Sequence, residues 1–225
     1  MKKIIILLGC IMLIITGFCL LHMKAKKNVP KDGYHLSDKI IVIDPGHGGR
    51  DRGATGEVLG TIEKDINLKV AQNLKKEIEN RTNAKVILTR ENDTSLLSET
   101  NQKEELRARV KVASDYYADL FISIHHDAFE DTNVKGITTH YGANKKHDKK
   151  LAEIVQKSIF NQKITTRNRG IQGSDFYVLK ENSSPAILIE LGFTSNEDDE
   201  KRMNSAKFQA KTQQGIVDGI IEYFN

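Results

Sequence analysis

The feature that most constrains this chain is an alternation of short, continuous apolar runs with segments that have the period of an amphipathic helix. An apolar run of about four to eight residues is typical of a strand buried on both faces of a sheet. The runs with this pattern are KIIVID (39–44), AKVILT (84–89), DLFISI (119–124) and PAILIE (185–190), and two further candidate strands are KGITTHYG (135–142) and FYVL (176–179).

The segments between these runs are predicted to be helices. After the first run, an apolar residue recurs at every fourth position, which gives a helix one apolar stripe. This stripe consists of Ile62, Ile66, Val70, Leu74 and Ile78. Further helices are predicted at 104–117 and 149–160, and a last helix carries Phe208, Ile216, Ile220 and Phe224 toward the core. The alternation predicts an α/β fold, a single domain with a twisted, mainly parallel sheet flanked by helices on both faces.

Residues 1–27 differ from the rest of the chain. Residues 4–23 contain no charged side chain unless His22 is protonated. A run of about 20 apolar residues can span a membrane as a helix, and the two lysines before it fit an export signal or signal anchor. We therefore expect an N-terminal membrane anchor or signal segment at 1–27, a linker at 28–36 and the folded domain at 37–225. Because no small-x-small cleavage site follows the run, a retained anchor is favoured.

The charge of the chain argues against one class of partner. The formal net charge is +4 at pH 7, but five lysines lie in residues 1–27, and without them 29 basic residues stand against 30 acidic ones. The folded part is therefore close to neutral, so no nucleic-acid partner is expected. Both cysteines, Cys10 and Cys19, lie in the apolar run, so the folded part has no disulfide and no thiolate ligand for a metal.

Polar side chains follow three of the predicted strands at the point where each strand ends. His47 comes after the first strand, His125 directly follows DLFISI, and Glu190 ends PAILIE. Because ligands bind at the carboxyl ends of the strands in open parallel sheets, these residues are expected to share one crevice. Glu63 lies in the first turn of the first predicted helix, near the same edge. Two imidazoles and two carboxylates are thus predicted to converge.

This set of side chains suits a catalytic zinc site. Two histidines and one carboxylate are a common ligand set for catalytic Zn²⁺, and they leave one tetrahedral position open. The ion lowers the pKa of a bound water to about 7, and a second carboxylate can pass a proton to the leaving amine. The residues therefore predict a metal-dependent hydrolase of amide bonds. Their spacing leaves open whether Glu63 or Glu190 binds the metal.

Five motifs carry a resemblance to a known family. They are IVIDPGHGGRDRGATG, EKDIN, ILTR, DLFISIHHDAF and PAILIELGFTSN, and they follow one another over nearly the whole predicted domain. In this order the chain resembles the zinc-dependent N-acetylmuramoyl-L-alanine amidases of the third amidase family. The resemblance implies a peptidoglycan hydrolase that cleaves the amide bond between N-acetylmuramic acid and the L-alanine of the stem peptide. It also implies Zn²⁺ as cofactor, the metal ligands His47, Glu63 and His125, and Glu190 as catalytic general base and acid.

The chain departs from the family pattern at two places. His126 stands where these enzymes usually have a small residue. The stretches 128–136 and 141–151 are short and leave no room for the inhibitory helix of some division amidases, so gating would need an activating partner protein or timed expression. One domain behind an N-terminal membrane segment is similar to the spore-cortex amidases. This likeness implies an extracytoplasmic protein, membrane-anchored or secreted, that acts in cell wall remodelling or germination, with the forespore intermembrane space as one candidate location.

Each candidate residue also has a purely structural interpretation. His47 could be a turn residue, and Glu63 could interact with the helix dipole. His125 and His126 are neighbours on a predicted strand, so only one of them should face the metal. Glu190 is the hardest to explain structurally, because a buried carboxylate is costly without a partner.

Other polar residues are expected to serve the fold. Asp44 could hold His47 in place or form a turn. Arg90 and Arg109 are predicted to form structural ion pairs rather than to bind substrate carboxylates. Solvated surface positions are predicted for His140, His147 and the run NEDDEKR (196–202).

Two other functions would use the same fold. A zinc peptidase that acts within the stem peptide would need the same four polar groups. An anchored wall-binding module without catalysis would keep the fold, but such a module has no use for Glu190.

Overall fold

The computed structural model describes residues 36–97 and 101–225. The predicted anchor at 1–27 and the linker up to residue 35 lie outside the described residues, so these segments stay predictions. Within the described ranges, no helix combines the length and the apolar character that crossing a membrane requires.

The described ranges contain strands and helices in alternation. The strands are β1 (Ile40–Pro45), β2 (Lys85–Leu88), β3 (Leu120–Asp127), β4 (Ile137–Gly142), β5 (Asn168–Ser174) and β6 (Ala186–Phe193). The helices are α1 (Glu63–Thr82), α2 (Gln102–Asp115), α3 (Lys146–Asn161), α4 (Tyr177–Lys180), α5 (Glu197–Met203) and α6 (Ala206–Phe224).

The strands form one sheet in the order β2-β1-β3-β6-β4-β5. Neighbouring strands are parallel except for β4, which runs antiparallel to β6. The predicted α/β domain with a mainly parallel sheet is therefore confirmed. The central strands β1, β3 and β6 are buried on both faces, which explains their continuous apolar sequences.

Helices cover both faces of the sheet. On one face, α1, α3 and α6 bury a large core to which the strands contribute Ile41, Ile122 and Ile189. On the other face, α2 and α4 pack on a smaller core around Val42 and Phe121. Burial of one such side chain contributes about 1.5–3 kcal/mol, so the first face supplies most of the apolar stabilisation. The second face leaves space for a cleft.

One strand prediction is wrong, and one strand has no counterpart among the predictions. The apolar sequence FYVL (176–179) predicts a strand, but the short helix α4 lies there and buries Val178 and Leu179 against the smaller core. The unpredicted strand is β5, with the sequence NRGIQGS. It lies at the edge of the sheet and is largely exposed, so it lacks the apolar run on which the prediction depends.

Candidate active site

Polar side chains from three strands meet at the carboxyl edge of the sheet. His125 on β3 is the register partner of Glu190 on β6. β1 ends at Pro45, and His47 follows two residues later. Glu63 is the first residue of α1. All four polar side chains line one cleft, as expected for strand ends in a parallel sheet.

The glycine-rich turn after β1 lets two imidazoles approach each other. His47 has a φ of 62°, in the left-handed region that side chains other than glycine rarely adopt. A Cβ added to Gly46 would lie 2.2 Å from Nε2 of His125, so only glycine fits beneath that ring. The ring centroids of His47 and His125 are 5.0 Å apart, in an edge-to-face arrangement.

His47, Glu63 and His125 form a compact group that could hold a metal ion. Oε1 of Glu63 lies 3.1 Å from Nε2 of His47 and 3.0 Å from Nδ1 of His125. One potential ligand atom from each residue lies within 4.8 Å of the others. Two imidazole nitrogens and a carboxylate oxygen are donors that Zn²⁺ takes in catalytic sites, so these residues fit that ion.

Glu63 is buried and strongly favours its ionised form. Burial raises the pKa of the carboxyl group, but the hydrogen bonds and charges of His125 and His47 outweigh burial and hold the pKa of Glu63 far below its usual range. Its second oxygen, Oε2, accepts a hydrogen bond from the backbone N–H of Ala54 at 2.8 Å. Glu63 therefore presents a fixed negative charge to the two imidazoles.

Asp51 is a neighbour of His47 that the sequence analysis missed. Its Oδ2 lies 2.8 Å from Nδ1 of His47, and its Oδ1 accepts from the backbone N–H of Gly53 at 3.0 Å. Burial lowers the pKa of His47, but the hydrogen bonds and charges of Glu63 and Asp51 raise it overall. A proton on Nδ1, facing Asp51, leaves Nε2 free to bind a metal. The only signal in the sequence is a carboxylate four residues after His47 in the same turn.

Asp44 supports the turn and not the imidazole of His47. Its carboxylate accepts hydrogen bonds from Arg109 at 2.7 Å, Thr89 at 2.6 Å and Ser123 at 2.8 Å. Burial raises the pKa of Asp44, but these partners, with Arg109 first, lower it overall. Arg109 also donates to the backbone oxygen of His47 at 2.7 Å. The structural ion pair predicted for Arg109 is confirmed, and Asp44 reaches His47 only through it.

Arg90 binds backbone oxygens, which differs from its predicted ion pair. Its guanidinium donates to the carbonyl oxygens of Pro45, Gly46 and Lys64 at 2.7–3.0 Å. Arg90 thus ties the turn after β1 to the first turn of α1.

Glu190 is also buried, but its surroundings favour the protonated form. The residue is 8% exposed, and among the described residues its Oε2 has no hydrogen-bond partner. Burial and the carboxylates of Asp127 and Glu63 raise the pKa of Glu190 well above its usual value. A carboxyl group of this kind can both accept and release a proton, as a general base and acid must.

The cleft that contains these groups has a volume of about 350 Å³. Its walls include Leu106 on α2 and Phe176, Tyr177 and Val178 at α4. This volume lies in the range of small-ligand sites. A substrate would therefore meet imidazole and carboxyl groups at the base of the cleft and partly apolar walls above them.

Of the neighbours His125 and His126, only His125 belongs to the group that could hold a metal ion, as the sequence predicts. The ring of His125 contacts Glu63, whereas the ring of His126 does not. His126 is 1% exposed, and its Nδ1 lies 2.7 Å from Oδ1 of Asn67. Burial lowers the pKa of His126 to about 4, so this ring is neutral at neutral pH.

The surface position predicted for His140 is wrong. His140 is 8% exposed, its Nδ1 lies 2.8 Å from Oγ of Ser174, and its ring packs edge-to-face on Phe176 at 5.1 Å. Burial is also the main reason that the pKa of His140 falls to about 4. His147 is exposed, as predicted.

The run NEDDEKR is not uniformly solvated either. Glu200 is fully buried and holds the loop before α1, because its carboxylate accepts from the backbone N–H groups of Val58, Leu59 and Thr61 at 2.9–3.1 Å. A Cβ added to Gly56 would lie 1.9 Å from Oε1 of Glu200, so the loop passes very close to this carboxylate. This loop ends at Glu63.

Known proteins are similar to this chain in sequence and in fold. Residues 41–222 match the family model of N-acetylmuramoyl-L-alanine amidases. The probable cell wall amidase LytH of Staphylococcus epidermidis is 36% identical over 204 residues, which cover 88% of this chain and 64% of LytH. The germination-specific N-acetylmuramoyl-L-alanine amidase of Bacillus subtilis is 35% identical over 195 residues, covering 84% of this chain and 81% of that enzyme.

A solved structure agrees with these sequence matches. The CwlD amidase of Clostridioides difficile, determined in complex with the GerS lipoprotein, superposes with a TM-score of 0.77 at 37% identity and covers 83% of this chain and 98% of CwlD. The α/β domain of this chain is thus shared with a cell wall amidase of known structure. The chain belongs to the N-acetylmuramoyl-L-alanine amidase family.

Proposed function

We propose that this protein hydrolyses the amide bond between N-acetylmuramic acid and the L-alanine of the peptidoglycan stem peptide. We further propose that it depends on zinc, with His47, Glu63 and His125 as ligands. The observation that carries the proposal is the convergence of these three side chains with Glu190 in one cleft of a chain from the amidase family. When bound, zinc would polarise the scissile carbonyl and lower the pKa of the attacking water.

The proposed role of Glu190 is to move one proton. Its carboxylate takes a proton from the water as the water oxygen attacks the carbonyl carbon. It then gives this proton to the nitrogen of L-alanine as the C–N bond breaks. The products are a free lactyl carboxyl group and a free amine, and Glu190 returns to its starting state. Burial raises the pKa of Glu190, which suits the protonated group to donate to the leaving nitrogen. The positive charge of bound zinc would lower this pKa, which would make the carboxylate available for the first transfer.

The other residues hold the site in shape. The hydrogen bond between Asp51 and His47 fixes which ring nitrogen faces the metal. Arg90 and Arg109 bind the backbone oxygens of the turn that carries His47. The walls formed by α2 and α4 would orient the glycan and the peptide on either side of the scissile bond.

The proposed setting is the extracytoplasmic side of the cell envelope. The apolar run in residues 1–27 supports a membrane anchor or signal segment, followed by a linker at 28–36 and the catalytic domain at 37–225. The similarity to a germination-specific amidase and to CwlD supports a role in spore-cortex or wall remodelling. CwlD was determined with a lipoprotein bound, which supports a partner protein here as well.

The test is a digest of peptidoglycan by the full chain, zinc-loaded and solubilised in detergent, with Glu190→Ala as control. With the unchanged protein, mass spectrometry should find intact stem peptides that begin at L-alanine, together with glycan strands that carry no stem peptide. Neither product is expected with Glu190→Ala. Cleavage inside the stem peptide would identify a peptidase instead. Binding of muropeptides without turnover, with zinc present, would identify a wall-binding module.

A further inference from the structure

A chain of hydrogen bonds links His126 to Glu63 through Asn67. Nδ1 of His126 lies 2.7 Å from Oδ1 of Asn67, and Nδ2 of Asn67 lies 3.3 Å from Oε1 of Glu63. Asn67 follows Glu63 by four residues on α1, so both side chains project from the same side of the helix. All three residues are buried, with exposed fractions of 1%, 0% and 4%. Bulk water therefore does not compete for these bonds.

The donors and acceptors of this chain fit together in only one way. The oxygen of an asparagine side chain only accepts, so the ring of His126 must donate from Nδ1. The amide nitrogen of Asn67 then faces two acceptors, Oε1 of Glu63 and the carbonyl oxygen of Gly46, each at 3.3 Å. A reversed amide would place its oxygen against both of these oxygens. The two acceptors at one end of the Asn67 amide and the donating Nδ1 of His126 at the other therefore hold the amide in one direction.

Asn67 acts on the carboxylate oxygen that both imidazoles contact. Oε1 of Glu63 lies within 3.1 Å of a ring nitrogen of His47 and of His125. The backbone N–H of His126 also donates to Oε1, at 3.3 Å. Because Oε2 is held separately by the backbone of the preceding loop, the carboxylate cannot rotate without losing hydrogen bonds at both oxygens.

We propose that His126 is a positioning residue of the metal site: by fixing the amide of Asn67, it holds the carboxylate of Glu63 in the orientation that binds zinc. The inference rests on the zinc site of the proposed function and gives His126 no role as a ligand or proton carrier. Hydrogen-bond partners of metal ligands typically contribute 10–100-fold to metal affinity. His126 acts through an intermediate residue, so loss of its donor should weaken zinc binding about 10-fold, the lower end of that range.

Two substitutions separate the hydrogen bond from packing. His126→Leu keeps a side chain of similar bulk but has no donor. His126→Asn leaves a gap but carries an amide nitrogen as many bonds from the Cα as Nδ1 of histidine. The zinc dissociation constant of each full chain is measured in detergent by competition with a chelator of known affinity. We expect binding about 10-fold weaker in His126→Leu and close to that of the unchanged protein in His126→Asn.

The opposite results overturn the proposal. Unchanged zinc affinity in His126→Leu would mean that the ring acts only by filling space, and an equal loss in both variants would mean that a donor at the position of Nδ1 is not what the site requires. The unfolding transitions of the metal-free chains verify that each variant folds, and His126→Met replaces His126→Leu if that variant does not. Zinc binding that is absent from the unchanged protein itself would remove the proposed metal site and this inference together, which distinguishes the two failures.

The route through Asn67 has its own test. If His126 acts through that amide, adding His126→Leu to Asn67→Leu should weaken zinc binding no further than Asn67→Leu alone. Additive losses from the two substitutions would contradict this route and overturn the assignment.

Discussion

Glu63 and Glu190 lie in the same cleft, yet their surroundings are opposite. At the start of α1, both oxygens of Glu63 have partners, which are two imidazoles and hydrogen-bond donors from the backbone and Asn67. On β6, Oε2 of Glu190 has no hydrogen-bond partner among the described residues. The pKa of Glu63 is accordingly far below its usual range, while that of Glu190 is well above it.

This contrast supports the two proposed roles, which the spacing of the sequence left open. A metal ligand must be ionised and fixed in direction, and Glu63 meets both conditions. A general acid and base must change its protonation state during the reaction, and burial beside the carboxylates of Asp127 and Glu63, which raises the pKa of Glu190, suits that residue to this role. Two residues of one type can thus serve one reaction differently, because their neighbours differ.

The largest effect is expected from Glu190→Gln. Glutamine keeps the shape of the side chain but cannot carry the proton, so kcat/KM on a soluble muropeptide should fall about 10²–10⁴-fold. Zinc content, measured by elemental analysis of the purified chain, should stay at the level of the unchanged protein, since Glu190 lies outside the metal group. A loss of less than 10-fold would assign the proton transfer to another group of the cleft, such as Asp127.

The matching substitution at Glu63 should reduce zinc affinity. Glu63→Gln removes the negative charge between the imidazoles, so zinc affinity should fall by more than about 100-fold, the upper limit for partners outside the ligand set. Zinc at 100 times its dissociation constant stabilises a folded protein by about 2.7 kcal/mol. In thermal unfolding this gain should vanish in Glu63→Gln and persist in Glu190→Gln. A reversed pattern would exchange the two roles.

The sequence could predict where these residues meet but not what surrounds them. In a parallel sheet, strand ends and helix starts share one edge, so the strand patterns were sufficient to bring His47, Glu63, His125 and Glu190 together. The partners Asp51, Asn67 and Glu200 depend on the path of turns and on residues distant in sequence. Glu200, for example, binds backbone groups 139–142 residues before it. Local patterns carry no information about such contacts.

Asp51→Ala is expected to cause a smaller loss of zinc affinity than Glu63→Gln. Without this carboxylate, the imidazole of His47 loses the bond that fixes its tautomer, and zinc affinity should fall about 10–100-fold. Asp51→Asn keeps an acceptor and should lose less. Asp115→Ala is a suitable control, because Asp115 pairs with Lys111 on the surface at the end of α2. Equal zinc affinity in Asp51→Ala and the control would mean that His47 is oriented by the turn alone.

The smallest effect concerns the loop that leads to Glu63. Glu200→Gln places an amide nitrogen against backbone N–H groups of Val58, Leu59 and Thr61, and leaving such groups unpaired costs about 1–3 kcal/mol. A loss of stability lowers the midpoint of thermal unfolding by about 2–4 °C per kcal/mol for a domain of this size, so this decrease in Tm is measurable at pH 7. Exposed Glu197, which pairs with Lys201 on the same helix, provides the control Glu197→Gln, and no shift is expected there.

The difference in stability between the unchanged protein and Glu200→Gln should depend on pH if its origin is electrostatic. Burial alone would raise the pKa of Glu200, but the hydrogen bonds from Thr61, Leu59 and Val58 lower it below the value of 4.5 in an unfolded chain. A carboxyl group with a lowered folded-state pKa stabilises the fold fully above its unfolded pKa, and this contribution disappears as pH falls through the folded pKa. The stability gap between the unchanged protein and Glu200→Gln should therefore be constant down to about pH 5 and shrink below it. A gap that is the same in strongly acidic solution would mean that the shape of the side chain holds the loop and its charge does not.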